Sequence, residues 1–193
     1  MTKATIFGDG NMGTAIAGIL TEGGASVEHI TTADQGQATV GGDLVILAVP
    51  YPALDAIVTA YGDQLAGKVV VDITNPLNFE TFDSLTVPAG SSAAAELAEK
   101  LPSSRVLKAF NPTFAATLAG KSVGEDNPTA VLIAGDDAEA KSALADAVTA
   151  GGLAAVDAGG LNRAHELEAL GFLQLTLAAS GGTSWAGGFT LAN

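Results

Sequence analysis

Short apolar runs alternate with segments of helical period along the whole chain. The runs Ala4–Gly8, Ser26–Thr31, Leu44–Val49, Val69–Ile73, Val106–Phe110, Ala130–Ala134 and Ala154–Asp157 predict strands. Apolar positions recurring every three or four residues predict helices over Asn11–Glu22, Pro52–Tyr61, Ser92–Leu101, Asp137–Ala150 and Asn162–Ala179. The Val, Ile and Leu runs lack polar alternation, the pattern of strands buried on both faces of a parallel sheet. Helices between successive strands supply the right-handed crossovers that such a sheet needs. The pattern therefore predicts one doubly wound, mainly parallel α/β domain over residues 1–193, ending in a helix over about 162–179 and a short tail.

Cap residues sharpen these limits. Ser91 or Ser92 precedes the Ala-rich helix with Glu96 close by, Asp136 or Asp137 precedes the next, and Asn162 the last. Leu77 to Gly90 reads as an irregular crossing over the top of the sheet. The Gly- and Ser-rich stretch from Ser180 to Gly188 carries Trp185, which predicts a tail that packs back on the domain.

The first strand runs straight into Gly8-Asp9-Gly10-Asn11-Met12-Gly13, and a helical pattern follows at once. At a strand–helix junction this spacing fits the pyrophosphate of a dinucleotide, and with it a Rossmann-type domain. Gly8 allows the tight turn, Gly10 lets the backbone approach the phosphates, and Gly13 lets helix and strand pack closely. The helix N-terminus supplies unpaired N–H groups and a favourable dipole. In open α/β sheets ligands bind beyond the carboxyl ends of the strands. The next walls of the site are therefore Val49-Pro50-Tyr51 and Thr74-Asn75-Pro76, followed by Asn111. Asn75 and Asn111 could offer amides to a nicotinamide carboxamide or a second ring, or could make turns.

An acidic residue about 20 positions past the loop would hold the ribose 2′-hydroxyl of NAD. Glu28 falls early and Asp34 late. Thr31 and Thr32 take the expected place, where their hydroxyls could donate to a 2′-phosphate, which points to NADP over NAD although no Arg is there to clamp it.

Charge removes several function classes. The chain has 193 residues and a net charge of −13, and its eight Lys and Arg cannot build a phosphate-tracking surface, so nucleic acid and anionic membranes are not expected partners. Any anionic ligand must be held by local backbone dipoles. Zero cysteines exclude disulfides and a thiol nucleophile and suit a reducing cytoplasm. A strand that begins by residue 3 leaves no room for a signal peptide, and Pro50, Pro52 and Asp55 interrupt the longest apolar stretch, so a cytoplasmic chain without a membrane span is expected.

No cluster has metal-ligand spacing, and His29 and His165 lie far apart. Asp43 and Asp72 resemble strand-edge or capping residues, and Ser91-Ser92 lacks the setting of a nucleophile elbow. Lys108, in a buried-type strand, either snorkels to the sheet edge or reaches the site. Thin acid–base equipment suits direct hydride transfer between stacked redox rings, which needs mainly proximity and orientation.

The chain resembles the NADPH-dependent reductases of the deazaflavin coenzyme F420 over nearly its whole length. The resemblance rests on the glycine loop, on Val71-Asp72-Ile73-Thr74-Asn75-Pro76-Leu77, on Ser91-Ser92-Ala93-Ala94, on Val106-Leu107-Lys108-Ala109-Phe110-Asn111, and on Ala134-Gly135-Asp136-Asp137 and Asp157-Ala158-Gly159. It is also similar to the reductase domain of six-transmembrane metalloreductases. The resemblance implies NADP(H) at the glycine loop, a flavin-like acceptor (coenzyme F420 or a flavin) on the nicotinamide, a final helix that helps form the acceptor site or a dimer, and a homodimer. Three segments depart from the family. Asp9 stands where Thr is common, Thr31-Thr32-Ala33 where Ser-Arg-Arg greets the 2′-phosphate, and His165, Ala169 and Gly171 where Arg, Ser and Thr face the deazaflavin. The lost side chains predict a roomier acceptor site. His165 either donates to the acceptor or sits on a solvated face beside Arg163 and Glu166. The alternatives are a non-catalytic NADP(H) sensor and a reductase of small imines or β-hydroxy acids, which would need a longer helical region after Gly160.

Overall fold

Strands β1 (Lys3–Phe7), β2 (Ser26–Ile30), β3 (Leu44–Leu47), β4 (Val69–Asp72) and β5 (Arg105–Ala109) run parallel in the computed structural model, which describes residues 2–34, 36–124 and 127–191. Two further strands, β8 (Ala130–Gly135) and β9 (Ala154–Gly159), complete a seven-stranded sheet of order β2-β1-β3-β4-β5-β8-β9. A short hairpin, β6 (Ser122–Val123) and β7 (Asn127–Pro128), lies outside it. The helices are α1 (Asn11–Glu22), α2 (Leu54–Leu65), α3 (Ala93–Lys100), α4 (Ala115–Gly120), α5 (Ala138–Ala150) and α6 (Ala164–Ala179). This is the Rossmann-type α/β architecture that the alternating pattern leads one to expect.

Strand pleating sorts the apolar runs into two layers. Ile6, Ile46, Val71 and Leu107 are register partners in turn and form a fully buried row under α1 and α5. Their neighbours Phe7, Val45, Leu47, Val70 and Val106 point the other way, into the layer closed by α2 and α3. Both faces are covered, which is why the strands read as continuous apolar runs.

One crossover differs from the expectation. After β5 the chain makes the unpredicted helix α4 and the β6–β7 hairpin, and β8 returns antiparallel to β5, with β9 parallel to β8. The Ala115–Gly120 segment is too short and too small-sided to register as a helical period. The caps on α3 and α5 form as expected: the Ser92 hydroxyl accepts from the Ala95 N–H at 3.0 Å, and Asp137 accepts from Ala140 N–H at 2.8 Å. Asn162 caps nothing, because a 3-10 turn over Leu161–Arg163 leads into α6. The tail folds back as its tryptophan suggested. Trp185 packs on Phe114 with ring centroids 5.1 Å apart, and the Thr117 hydroxyl donates to the Gly187 carbonyl at 2.7 Å.

Candidate nucleotide-binding site

Strand order reverses at β1, with β2 on one side and β3 on the other, and a cleft opens beyond their carboxyl ends. Gly8 turns the chain there with φ +98°, a conformation costly for any side chain, and a Cβ would lie 2.4 Å from the Ala48 carbonyl oxygen. Its N–H donates to the Ile30 carbonyl at 2.8 Å, tying the loop to the end of β2. A Cβ on Gly13 would lie 2.5 Å from the Gly8 carbonyl oxygen, so α1 can press against the loop only without a side chain. A Cβ on Gly10 would meet nothing within 4 Å. It faces the open cleft, as close approach of a ligand requires.

Helix α1 starts without a side-chain cap and without an acid in its first turn. Its first bond runs from Thr14 N–H to the Gly10 carbonyl at 2.9 Å. The N–H groups of Asn11, Met12 and Gly13 are therefore left for an acceptor outside the helix, at the positive end of its dipole. Met12 serves this end through its backbone, since its side chain packs on the core.

The cleft measures about 560 Å³. Gly8, Asp9, Gly10, Val49 and Pro50 line it, and Ile30 with Ala53, Ala56 and Ala60 gives it an apolar side of mostly small residues. Tyr51 turns away from it. Its hydroxyl donates to the Glu96 carboxylate, and burial, reinforced by that carboxylate, pushes the phenol above its ordinary range. Pro76 is buried and Asn11 exposed, and neither lines this cleft.

At the tip of β2 the threonines separate. The Thr31 N–H and hydroxyl both donate to Asp34 Oδ2, at 2.7 and 3.1 Å, and the same hydroxyl oxygen accepts from the Ala33 N–H at 3.3 Å. Only Thr32 keeps an exposed side chain among the two. The spacing made Asp34 look late, but a 3-10 turn over Thr32–Asp34 folds it back onto the strand end.

The other half of the site is built from charge that solvent does not reach. Lys108 is fully buried and pairs with Asp72 Oδ2 and Glu168 Oε1, each at 2.8 Å, while also donating to the Thr74 carbonyl. It neither snorkels to the edge nor opens to the cleft, because three acceptors surround its ammonium at its own depth. Asp72 accepts from the Thr74 N–H at 2.8 Å. Glu168 accepts from the Ala93 and Ala94 N–H groups at 3.0 and 3.4 Å, so a side chain of α6 caps α3. Burial raises the Glu168 carboxyl above its ordinary range, against the pull of Lys108.

Asn75 and Asn111 are brought together, and Asn111 Oδ1 is buried without a partner. Asn75 Nδ2 donates to the Asn111 carbonyl at 3.0 Å, and Asn111 Nδ2 donates to Asn75 Oδ1 and to the Leu167 carbonyl, both at 2.8 Å. A Cβ on Gly171 would sit 2.4 Å from Asn75 Oδ1. The space beside Gly171 is thus filled by Asn75, and the roomier acceptor site expected at this position is not formed there. His165 is half-buried, and its Nδ1–H donates to the Ser91 carbonyl at 3.0 Å, which leaves Nε2 free.

Among the described residues no Lys or Arg lines the cleft. Lys68, Lys100, Lys121, Lys141 and Arg163 pair with carboxylates elsewhere, and Lys3 and Arg105 stand at the amino ends of β1 and β5. Among the described residues no helix is long and apolar enough to cross a membrane, and no three His, Asp or Glu side chains gather as metal ligands. Sequence reasoning missed two residues. Asp34 lies 21 positions past Gly13 (34 − 13), within the spacing of a ribose-binding acid. Glu168, an acid between Leu167 and Gly171 on the buried face of α6, is itself a signal for a buried partner.

Residues 27–76 match the family described as NADP oxidoreductase, coenzyme F420-dependent. The chain is 33% identical over 135 residues to the F420-dependent NADP reductase of Methanocaldococcus jannaschii, covering 67% of this chain and 59% of that protein. It is 39% identical over 109 residues to the metalloreductase STEAP3 of Rattus norvegicus, covering 56% of this chain and 21% of that one. It therefore spans less than two thirds of either relative. A crystal structure of a candidate F420-dependent NADP reductase from Arthrobacter sp. FB24 superposes with a TM-score of 0.81 at 25% identity, covering the whole of both chains.

Proposed function

We propose that this relative of the coenzyme F420-dependent NADP oxidoreductases is an oxidoreductase that moves hydride between NADP(H) and a flavin or deazaflavin acceptor. The glycine-loop geometry carries the reading. Three unpaired N–H groups at the start of α1 face an opening that Gly10 keeps clear, and an apolar side of mostly small residues lies beside it. A diphosphate fits the first and an adenine ring the second. The relatives' names support NADP(H) as the nucleotide.

When bound, the reduced nicotinamide supplies the hydride. The chain's own residues bind and orient. Gly8 and Gly13 hold loop and helix in contact, so the N–H groups stay aimed at one point, and Val49 and Pro50 form the wall next to it. The Asn75–Asn111 pair and the Lys108–Glu168 pair anchor α6 at the carboxyl ends of β4 and β5, which places a rigid helix beside the path from the cleft. The homodimer implied by the resemblance would use the outer face of α6, where Leu173 and Leu177 are exposed.

The test is turnover. Purified protein supplied with NADPH and F420, FMN or FAD should lose nicotinamide absorbance at a rate set by one acceptor of the panel. Nucleotide binding without turnover across the panel refutes the proposal.

A further inference from the structure

The tip of β2 is built differently from a site that selects a 2′-phosphate. Such a site offers a cation or free donors. Here both donors of Thr31 are committed to Asp34 Oδ2, at 2.7 Å from nitrogen and 3.1 Å from oxygen. The Ala33 N–H is committed as well, to the Thr31 hydroxyl. Among the described residues no Lys or Arg lines the cleft, and Asp9 lines it with a carboxylate. His29, the nearest imidazole, donates Nδ1–H to the Gly8 carbonyl at 2.9 Å and serves the loop. A net charge of −13 provides no long-range attraction that could compensate.

The geometry points to Asp34 as the residue that sets nucleotide choice in this cleft, so that NADH is bound at least as well as NADPH. The inference rests on the dinucleotide reading of the site. Asp34 acts in two ways. It withholds the Thr31 donors from a phosphate, and it puts one carboxylate charge directly behind Thr31, which lines the cleft. A ribose 2′-hydroxyl faces neither penalty, because it can itself donate to a carboxylate. Asp34 is thus a positioning residue for Thr31 and an electrostatic filter at once. Thr32 remains the one free hydroxyl at the tip, which explains how NADPH can still enter.

The experiment compares dissociation constants for NADH and NADPH, by titration at one fixed pH. The wild-type chain, Asp34→Asn and Ala33→Arg are measured at low and high salt. Wild type should bind NADH as tightly as NADPH or more tightly. Asp34→Asn removes the charge and keeps a side chain of the same shape, so the affinity ratio should move toward NADPH by roughly fivefold at low salt and by less at high salt. Ala33→Arg adds a cation at an exposed position without removing the Asp34 carboxylate and should move the ratio the same way. A purely structural role for Asp34 would weaken both nucleotides alike and leave the ratio unmoved, which overturns the assignment. Tenfold tighter NADPH binding by wild type overturns it too, with the dinucleotide reading intact. Binding of neither nucleotide overturns both.

Discussion

Replacing Gly13 by Ala tests whether contact between α1 and the glycine loop creates the binding site. The new Cβ would sit 2.5 Å from the Gly8 carbonyl oxygen, about 0.9 Å inside ordinary contact. That carbonyl cannot yield easily. It accepts from His29 Nδ1 at 2.9 Å, and the N–H of the same residue is held by Ile30 at 2.8 Å. Helix α1 must therefore retreat. Overpacking costs about 1–3 kcal/mol, and alanine returns about 1 kcal/mol of helix propensity. The net loss is about 0–2 kcal/mol, or a fall in Tm of up to roughly 8 °C for a domain of this size. Binding should suffer more than stability. Losing the alignment of one N–H with a phosphate oxygen costs about 1.5–3 kcal/mol, which is roughly 10- to 100-fold in affinity. Gly18→Ala is the control, on the same helix with nothing within 4 Å of the added Cβ. It should gain about 0.5–1 kcal/mol and bind normally. Thermal unfolding followed by circular dichroism, with nucleotide titrations, measures both effects. If Gly13→Ala binds within a factor of two of wild type, the close approach is not what builds the site.

The buried charges make two further predictions. Lys108→Met leaves Asp72 and Glu168 facing each other without a cation and should destabilise the fold by about 3–5 kcal/mol; adding Glu168→Gln should restore part of that loss, and denaturant titration of single and double variants reads the coupling. Glu168 also predicts a pH slope. Its carboxyl is raised by burial, so the folded chain holds that proton more tightly than the unfolded chain, and the associated stability is complete below the ordinary carboxyl range and declines as pH rises through the raised value. Glu168→Gln should remove that declining component from a plot of unfolding free energy against pH; an unchanged slope would assign the dependence elsewhere.

Much of this architecture is legible in the residues because burial on two sides leaves a plain mark. Leu44–Leu47 and Val69–Asp72 alternate between two core layers, yet both layers are apolar, so the strands appear as unbroken runs. The Asn11–Glu22 helix is bounded by the glycine loop and by Gly23, and its limits follow from those residues. The antiparallel return of β8 leaves no such mark, since strand direction depends on the path of the connection and not on the strand's own composition. Side-chain commitments are equally silent. Nothing in the spacing of Asn75, Asn111 and Leu167 tells that the two amides bond to each other, and Lys108 in an apolar run reads the same whether its ammonium meets water or two carboxylates.

The two ends of the site are held by different kinds of interaction, and this sets how each can change. On the proposed reading the glycine-loop end binds through backbone dipoles, since among the described residues no cationic side chain lines the cleft. Dipoles of this kind act over one turn of helix and keep their strength in a chain of net charge −13. They also cannot be retuned by exchanging a single charged side chain, so diphosphate binding resists drift at the surface. At the other wall a buried lysine, two carboxylates and the Asn75–Asn111 pair fix α6 on the sheet. Removing any one of them exposes an unpaired buried group, which makes that wall rigid and costly to rebuild. What remains free to vary is the rim: Asp34 and Thr32 at the tip of β2, and Ala169 and His165 along α6. Those positions include three places where this chain departs from the reductases it resembles, and Asp9 is another, inside the glycine loop, so on the proposed reading the departures reach both rims and one side chain of the diphosphate cradle itself.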